Sequence, residues 1–442
     1  MEDILALAEA IWKGETDTFQ YHPLGRPRGM VKLAEGTWFY RGFANTIIRE
    51  TGEGLFIIDP SAGWDAGKKY EAVRAVTAKA LHTAVFTHGH VDHVFGVSRY
   101  REEAKARGWA LPRIIAHEAL PERFKRYKAT EAWNGHINLR QFRGGAGEPM
   151  FPVNFDFPDI TYRDQLDVRL GDICAQLRHA RGETDDHTWV FFPDNGLLCT
   201  GDLFIYGVPN AGNPQKVQRY AGDWAAALRR MAALEPRILA PGHGFPILGT
   251  ERVVQALMDT ADLLEHLHDQ TLELMNRGAS LDQVIHAVKA PDHLLRKPYL
   301  KPVYDEPEFI VRNIWRFYGG WYDGTPSHLK PAPETAQAEE IARLAGGAHR
   351  LAERAMEVAE EGDLRLACHL AEWAFLAAPH DPETRKAASE VFSRRAEAEP
   401  STMAMGIYLS AARHMGGVTG PEARSRTVMD AQQERGRHAE GS

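Results

Sequence analysis

Between Thr87 and Val94 the chain sets out His88-Gly89-His90-Val91-Asp92-His93, three imidazoles and one carboxylate in a single short run. Neutral imidazole nitrogen and ionised carboxylate oxygen are the donors that a borderline cation such as Zn²⁺ prefers. The spacing splits them into two pairs. His88 and His90, two apart after the apolar run Ala84-Val85-Phe86, can converge on one ion, while Asp92 and His93 face a second where the chain turns into the next helix. Two metals a few ångströms apart can present a bridging hydroxide for hydrolysis. Buried without a metal, the same cluster would strand donors and charges that nothing nearby satisfies.

Such a motif needs rigid elements to hold it. Thr37-Trp38-Phe39-Tyr40, Asn45-Thr46-Ile47-Ile48 and Leu55-Phe56-Ile57-Ile58 read as strands, the last ending at Asp59-Pro60. Helices are expected over about 65–80 and 94–107, on either side of the metal motif. A strand at Arg113-Ile114-Ile115-Ala116 precedes a polar, Gly-rich region reaching about 150. Strands return near 160–181, followed by a hairpin in which Asn195-Gly196 suits a two-residue turn. Strands, then helix–strand alternation, then strands and a helix again fit a two-sheet sandwich flanked by helices. Beyond about 250 the pattern becomes helical, starting with an amphipathic stretch over 251–277. Ser327–Glu334, with Pro331 and Pro333, reads as a linker. Ala-rich helices over 335–416 are broken at Gly362-Asp363 and again at Pro379 and Pro382, in a tetratricopeptide-like rhythm. The expected domains are 1–250, 251–416 and a disordered tail over 417–442.

Composition narrows the function classes. The 442 residues carry 44% hydrophobic and 25% charged residues, an ordinary globular balance. A net charge of -8 without a compact basic cluster argues against nucleic-acid binding. No apolar run approaches the length of a membrane span. The three cysteines, Cys174, Cys199 and Cys368, are far apart, and the acidic start Met1-Glu2-Asp3 is unlike a secretory leader, so a reducing, cytoplasmic location is expected.

The HxHxDH run resembles the metallo-β-lactamase superfamily, which implies an αββα sandwich and further ligands at later strand ends. The resemblance points to Asp202 in Gly201-Asp202 as the carboxylate between the metals, and to His243 in Pro241-Gly242-His243-Gly244 as the last ligand. At the remaining position the superfamily usually has histidine after glycine. Here the stretch is Arg181-Gly182-Glu183-Thr184-Asp185-Asp186-His187, so Glu183 is the leading candidate, with His187 and His179 as alternatives. A carboxylate there would make its metal a weaker Lewis acid than a third imidazole would.

Glutamate at this place resembles one branch, the zinc-dependent alkylsulfatases. Val190-Phe191-Phe192-Pro193 and Leu198-Cys199 before Gly201-Asp202 are similar to that branch, as are His268-Asp269-Gln270-Thr271-Leu272 and Tyr318-Gly319-Gly320-Trp321-Tyr322-Asp323-Gly324-Thr325-Pro326. The resemblance implies two Zn²⁺ per subunit, one on His88, His90 and Glu183, the other on Asp92, His93 and His243, with Asp202 bridging. Asp202 and Asp92 are the expected catalytic carboxylates. It also implies an all-α dimerisation domain after the sandwich, hence a homodimer. Asn134 and Arg140 fall in a stretch similar to one that lines the family's substrate pocket. Three departures stand out. The family's bridging residue is typically glutamate. Its sulfate-binding Leu-Arg-Gly is replaced by Asn213-Pro214-Gln215-Lys216, leaving Lys216 or Arg219 to hold an anion. The family's sterol-carrier-like C-terminal domain is not expected before Ser442. The leading expectation is cleavage of a small-molecule sulfate ester, for example one with an apolar tail and an anionic head. Hydrolysis of another ester, lactone, phosphoester or β-lactam comes next, and iron-dependent redox chemistry on the same fold or a non-catalytic dimeric scaffold follows.

Overall fold

The computed structural model describes residues 3–417. Among the described residues thirteen strands form two sheets. β1 (Gly29–Ala34), β2 (Thr37–Arg41), β3 (Thr46–Glu50), β4 (Leu55–Ile58), β5 (Leu81–Val85), β6 (Arg113–His117) and β7 (Ile160–Tyr162) lie side by side in chain order. The pairing is antiparallel up to β4 and parallel from β4 to β7. The second sheet runs β13 (Ile247–Leu248), β12 (Ile238–His243), β11 (Leu197–Ile205), β10 (Thr188–Phe192), β9 (Ile173–His179) and β8 (Gln165–Leu170). Within it, β11 and β12 are parallel.

Period-two patterning explains the layers. Ile47, Phe56, Ile58 and Val85 of the first sheet and Val190, Phe192, Cys199 and Ala240 of the second share one buried cluster, the filling of the sandwich. Their neighbours Ile48, Leu55, Ile57 and Ala84 pack outward with Val73, Val97 and Phe124. These three come from α2 (Ala66–Val76), α3 (Val97–Arg107) and α4 (Leu120–Ala129). On the far face, Trp189, Phe191, Leu198 and Leu239 pack against α1 (Ile4–Lys13), α6 (Ala221–Ala232), α7 (Thr250–Asn276), α8 (Leu281–Ala287) and α10 (Pro307–Gly319), the short α9 (Asp292–Leu295) adding Leu294. The order of layers is αββα, as expected.

Several expectations are refined. The region expected to be polar loop before 150 holds α4 and α5 (Glu131–Arg143). Its apolar residues, Phe124, Tyr127 and Ile137 among them, are sparse but spaced for one buried face, which the surrounding polar residues hid. The β10–β11 connection is four residues, Pro193–Gly196, because Phe192 pairs with Leu197. The division into compact units also differs from a boundary at 250. One unit takes residues 3–131 and 152–320, because α7, α8 and α10 complete the core of the second sheet. The other takes 132–151 and 321–417. In this second unit α11 (Glu334–Ala345), α12 (Ala348–Glu360), α13 (Leu364–Ala377), α14 (Pro382–Ala398) and α15 (Thr402–Gly416) pack through alanine-rich seams. Gly362, at φ +95°, ends α12, and Asp363 caps α13 by accepting from the Leu366 N–H, which places the expected break. α5 joins this bundle: Gly406 of α15 lies so close to the Gln141 carbonyl that a Cβ there would stand 2.1 Å from it. The expected tail beyond 417 lies outside the described residues.

Candidate metal centre

The motif residues sit where β5 stops and the chain turns toward α3. Asp59, at the end of β4 with φ +53°, organises this turn. Its carboxylate accepts from the Thr87 N–H (2.8 Å), the Thr87 hydroxyl (2.7 Å) and His93 Nδ1 (2.8 Å). His93 therefore carries its proton on Nδ1 and turns Nε2 inward. His243, the last residue of β12, does the same by donating from Nδ1 to the Phe43 carbonyl (2.6 Å). Such outer partners fix ring orientation and ligand basicity. Gly89 is held by its N–H on Asp186 (3.0 Å), which also accepts from Arg123 Nε (2.9 Å).

Two groups of donors result. His88, His90, Glu183 and Asp202 offer atoms within 4.8 Å of one another, and so do Asp92, His93 and His243. Asp202 lies between the groups. Its Oδ2 is 3.2 Å from His243 Nε2 and 3.7 Å from His88 Nε2, while Oδ1 is 3.4 Å from His93 Nε2. Asp92 Oδ2 is 3.4 Å from His243 Nε2 and 3.5 Å from His93 Nε2. His90 Nδ1 stands 3.6 Å from Glu183 Oε1. Asp202 is within β11 rather than beyond it. Register shifts against β12 on either side of Gly201 turn the side chain toward the histidines. Gly201 has φ +50°, and a Cβ there would meet Thr87 Oγ1 at 2.5 Å and His187 Cε1 at 2.7 Å.

The electrostatics favour cations. Burial opposes charge on His93, yet Asp202, Asp92 and Asp59 hold its pKa well above the usual value; His243 is raised by Asp202 and Asp92 against the same burial. Burial pushes the Glu183 carboxyl well above its ordinary range despite Arg219 beside it. Asp202 is held well below the usual range, His243, His93 and His88 overcoming its burial. Three buried atoms aimed into the cluster, His93 Nε2, Asp202 Oδ1 and Glu183 Oε2, have no hydrogen-bond partner among the described residues. Orphaned lone pairs beside histidines that are drawn to the charged form fit a site shaped for metal ions.

The two competing residues join neither group. His187 Nε2 accepts the Asp202 backbone N–H (3.1 Å), and its ring stacks on His88 at 4.6 Å. His179 donates from Nδ1 to the His187 carbonyl (2.9 Å) and stacks on His117 at 3.7 Å. Arg219 is buried against Glu183, with Nη1 2.6 Å from its carbonyl and 3.0 Å from Oε1, and Asn210 adds a second donor to that oxygen. Lys216 is partly buried; burial and Arg219 push its pKa down to about 8, against the pull of Asp92 and Glu183. Tyr304 lies in the same field, its hydroxyl pKa raised by burial and by Glu183 and Asp92. Asn134 and Arg140 are on α5, in the other unit, where Arg140 lies over the Trp133 ring at 5.3 Å. The sequence reading missed Asp59, Phe43, Asn210 and Tyr304 as contributors. Only Asp59 left a signal, a carboxylate at a strand end one residue before proline.

With that geometry in place, the comparisons with known proteins are specific. A model of the metallo-β-lactamase superfamily matches residues 40–243, and one of alkyl sulfatase dimerisation matches 280–417. The two matches follow one another along the chain, the metallo-β-lactamase match first and the alkyl sulfatase dimerisation match after it. A linear primary-alkylsulfatase of Pseudomonas sp. is 28% identical over 83% of this chain and 73% of its own length. An (R)-specific secondary-alkylsulfatase of Pseudomonas sp. is 26% identical over 88% of this chain and 62% of its own length. An alkyl/aryl-sulfatase of Saccharomyces cerevisiae is 24% identical over 85% of this chain, again 62% of its own length. The solved structure of a stereoselective inverting sec-alkylsulfatase from Pseudomonas sp. superposes with a TM-score of 0.79 at 21% identity, covering 89% of this chain and 66% of that one. The chain thus spans about two thirds of the length of several of these relatives. The two family matches and the relatives together support a hydrolase.

Proposed function

We propose that this chain is a dinuclear zinc hydrolase that cleaves a sulfate ester of a small molecule, working as a homodimer in the cytoplasm. The observation that carries the reading is the donor set. Seven side chains form two groups with Asp202 between them, and one is a glutamate, as in the branch whose relatives match over most of the chain. His88, His90 and Glu183 would hold one ion and Asp92, His93 and His243 the other. Bound there, two zinc ions supply Lewis acidity and a water acidified toward neutral pH.

The chain's own groups do the rest. Asp202, between the two donor groups, would keep the attacking water aligned by accepting its hydrogen bond, its backbone fixed by His187. Asp59 and Phe43 hold the two inner histidines in the tautomer that leaves Nε2 free. Lys216 and Tyr304 lie in the field of Asp92 and Glu183 and are the groups proposed to meet the anionic head. Asn134 and Arg140, on α5 in the other compact unit, take no part in this reading. An apolar tail has a candidate ledge in Trp64, 58% exposed, whose ring meets Phe43 edge-on at 5.7 Å, with Phe43 at 5.9 Å from His243. Three free cysteines suit a reducing compartment.

One observation favours a second reading, hydrolysis of a carboxylic ester, lactone or phosphoester. Arg219, a candidate for gripping sulfate, is spent on Glu183. Metal analysis of the purified chain, with turnover measured on primary and secondary alkyl sulfates, lactones, phosphoesters and β-lactams, separates the two. Sulfate release from an alkyl sulfate at the highest kcat/KM supports the first. Fewer than two metals, or preference for another ester, sinks it.

A further inference from the structure

Lys69 of α2 is 2% exposed, and the chemistry above makes no use of it. A buried ammonium is retained only when its donors are satisfied. Its Nζ donates to the Ala44 carbonyl (2.8 Å) and to Thr46 Oγ1 (2.9 Å), with the Tyr40 ring 5.8 Å away. Ala44 belongs to the turn between β2 and β3 and Thr46 opens β3, and three further links leave from residues 43–46. The Phe43 carbonyl accepts from His243 Nδ1 (2.6 Å). The Thr46 hydroxyl donates to the carbonyl of Asp59 (2.6 Å), the residue whose carboxylate orients His93. Asn45 binds the opposite strand end, through Nδ2 to the Pro241 carbonyl (2.9 Å) and through its N–H to Gly242 (2.7 Å).

We propose that Lys69 is a positioning residue. By fixing the turn over 42–46, it commits His243 directly and His93 through Asp59 to present Nε2 to the same ion. On the other ion Glu183 leans on Arg219 (3.0 Å), and only His88 reaches Asp59, through Thr87 (3.0 Å). A single lysine thus bears on both histidines of one ion and on one ligand, more remotely, of the other. The metal side of this inference rests on the dinuclear reading; the anchoring of the turn does not.

The test uses full-length chain stripped of metal, titrated with zinc alone, and followed by hydrogen exchange over 42–46. Lys69→Met should weaken one of two zinc ions by roughly 10–100-fold, as loss of an outer partner does, and the other much less. Exchange over 42–46 should speed up. Unchanged zinc affinities and exchange would overturn the proposal, as would equal weakening of both ions, which marks general loosening. If Lys69→Met does not fold, Thr46→Val keeps the ammonium and cuts its link to Asp59. The same selective loss is expected there, and its absence counts against the proposal. Should the wild-type chain take fewer than two zinc ions, the dinuclear reading fails by itself. Exchange in Lys69→Met then decides the role of the lysine, faster exchange upholding it and unchanged exchange refuting it.

Discussion

Glu183 and Arg219 are best read as one unit. On the proposed reading Glu183 is a carboxylate ligand, which brings a negative charge that imidazole does not, and Arg219, 2% exposed, lies against it. Breaking a buried pair by removing one partner costs about 3–5 kcal/mol, since the other charge is left uncompensated. Glu183→Gln should therefore weaken zinc binding and lower stability together. Glu183→His should restore a donor yet leave Arg219 stranded, and adding Arg219→Met should recover most of the lost stability. Zinc content and urea unfolding of the single and double variants check this; additive losses would separate the two residues. His187→Ala removes the acceptor for the Asp202 N–H and a ring stacked on His88, so turnover should fall far more than zinc content. Buried histidines also set the acid response. His22 is pushed by burial from 6.5 down to about 3 and His187, likewise by burial, to about 4. Below pH 6.5 the unfolded chain takes up protons that the folded chain refuses, so stability is full above that pH and falls toward pH 3–4. Each group contributes up to about 1.4 kcal/mol per pH unit. His22→Gln, still able to donate to the Val303 carbonyl, should flatten the slope of metal-free protein by nearly one proton in pH-dependent urea unfolding.

At the scale of elements, the centre depends on how closely β11 and β12 approach. A Cβ at Gly242 would lie 2.0 Å from Asp202 Oδ1 and 2.7 Å from the Gly201 backbone, so Gly242→Ala must push the strands apart. Loss of one or both zinc ions and of at least 100-fold in kcat/KM is expected, from elemental analysis and initial rates; near wild-type values would mean that the strands yield freely. The same closeness explains what could be read in advance. Strands alternating between two apolar faces, and a donor run next to an apolar strand end, are local patterns, so the sandwich and His88–His93 were legible. Glu183, Asp202 and His243 emerged only through the family resemblance, whose pattern sets each ligand next to a glycine. Phe43 contributes through a backbone carbonyl, which leaves no trace in residue type. Lys69 and Asn210 act through contacts made only after folding, Asn210 across 27 positions of chain. The helices α4 and α5 were hidden because polar residues surround the short apolar face of α4 and, as Asn134 and Gln141, share the buried face of α5 with Ile137.

Among the described residues no helix is long and apolar enough to cross a membrane. Phe317 and Tyr318 are 43% and 51% exposed, and the dimerisation model covers both. A large exposed apolar surface commonly marks a subunit contact. We therefore expect a two-fold dimer in light scattering, with a melting temperature that rises with protein concentration. A monomer at micromolar concentration would count against it. A different consequence follows from the path of the chain through its two units. Residues 132–151 leave the first unit, lend α5 to the second, and return, so the helical unit is built from an early piece and a much later one. Arg413 of α15 donates to the Arg143 and Gly144 carbonyls at 2.6 and 2.8 Å, closing the end of α5. No single cut can then separate the halves. On the ribosome, α5 emerges long before α15 exists to cap and cover it, and must wait uncovered while the strands of the second sheet are made. A gene ended after Gly320 would make that wait permanent, giving a metal-binding half with a frayed, sticky helix in its middle.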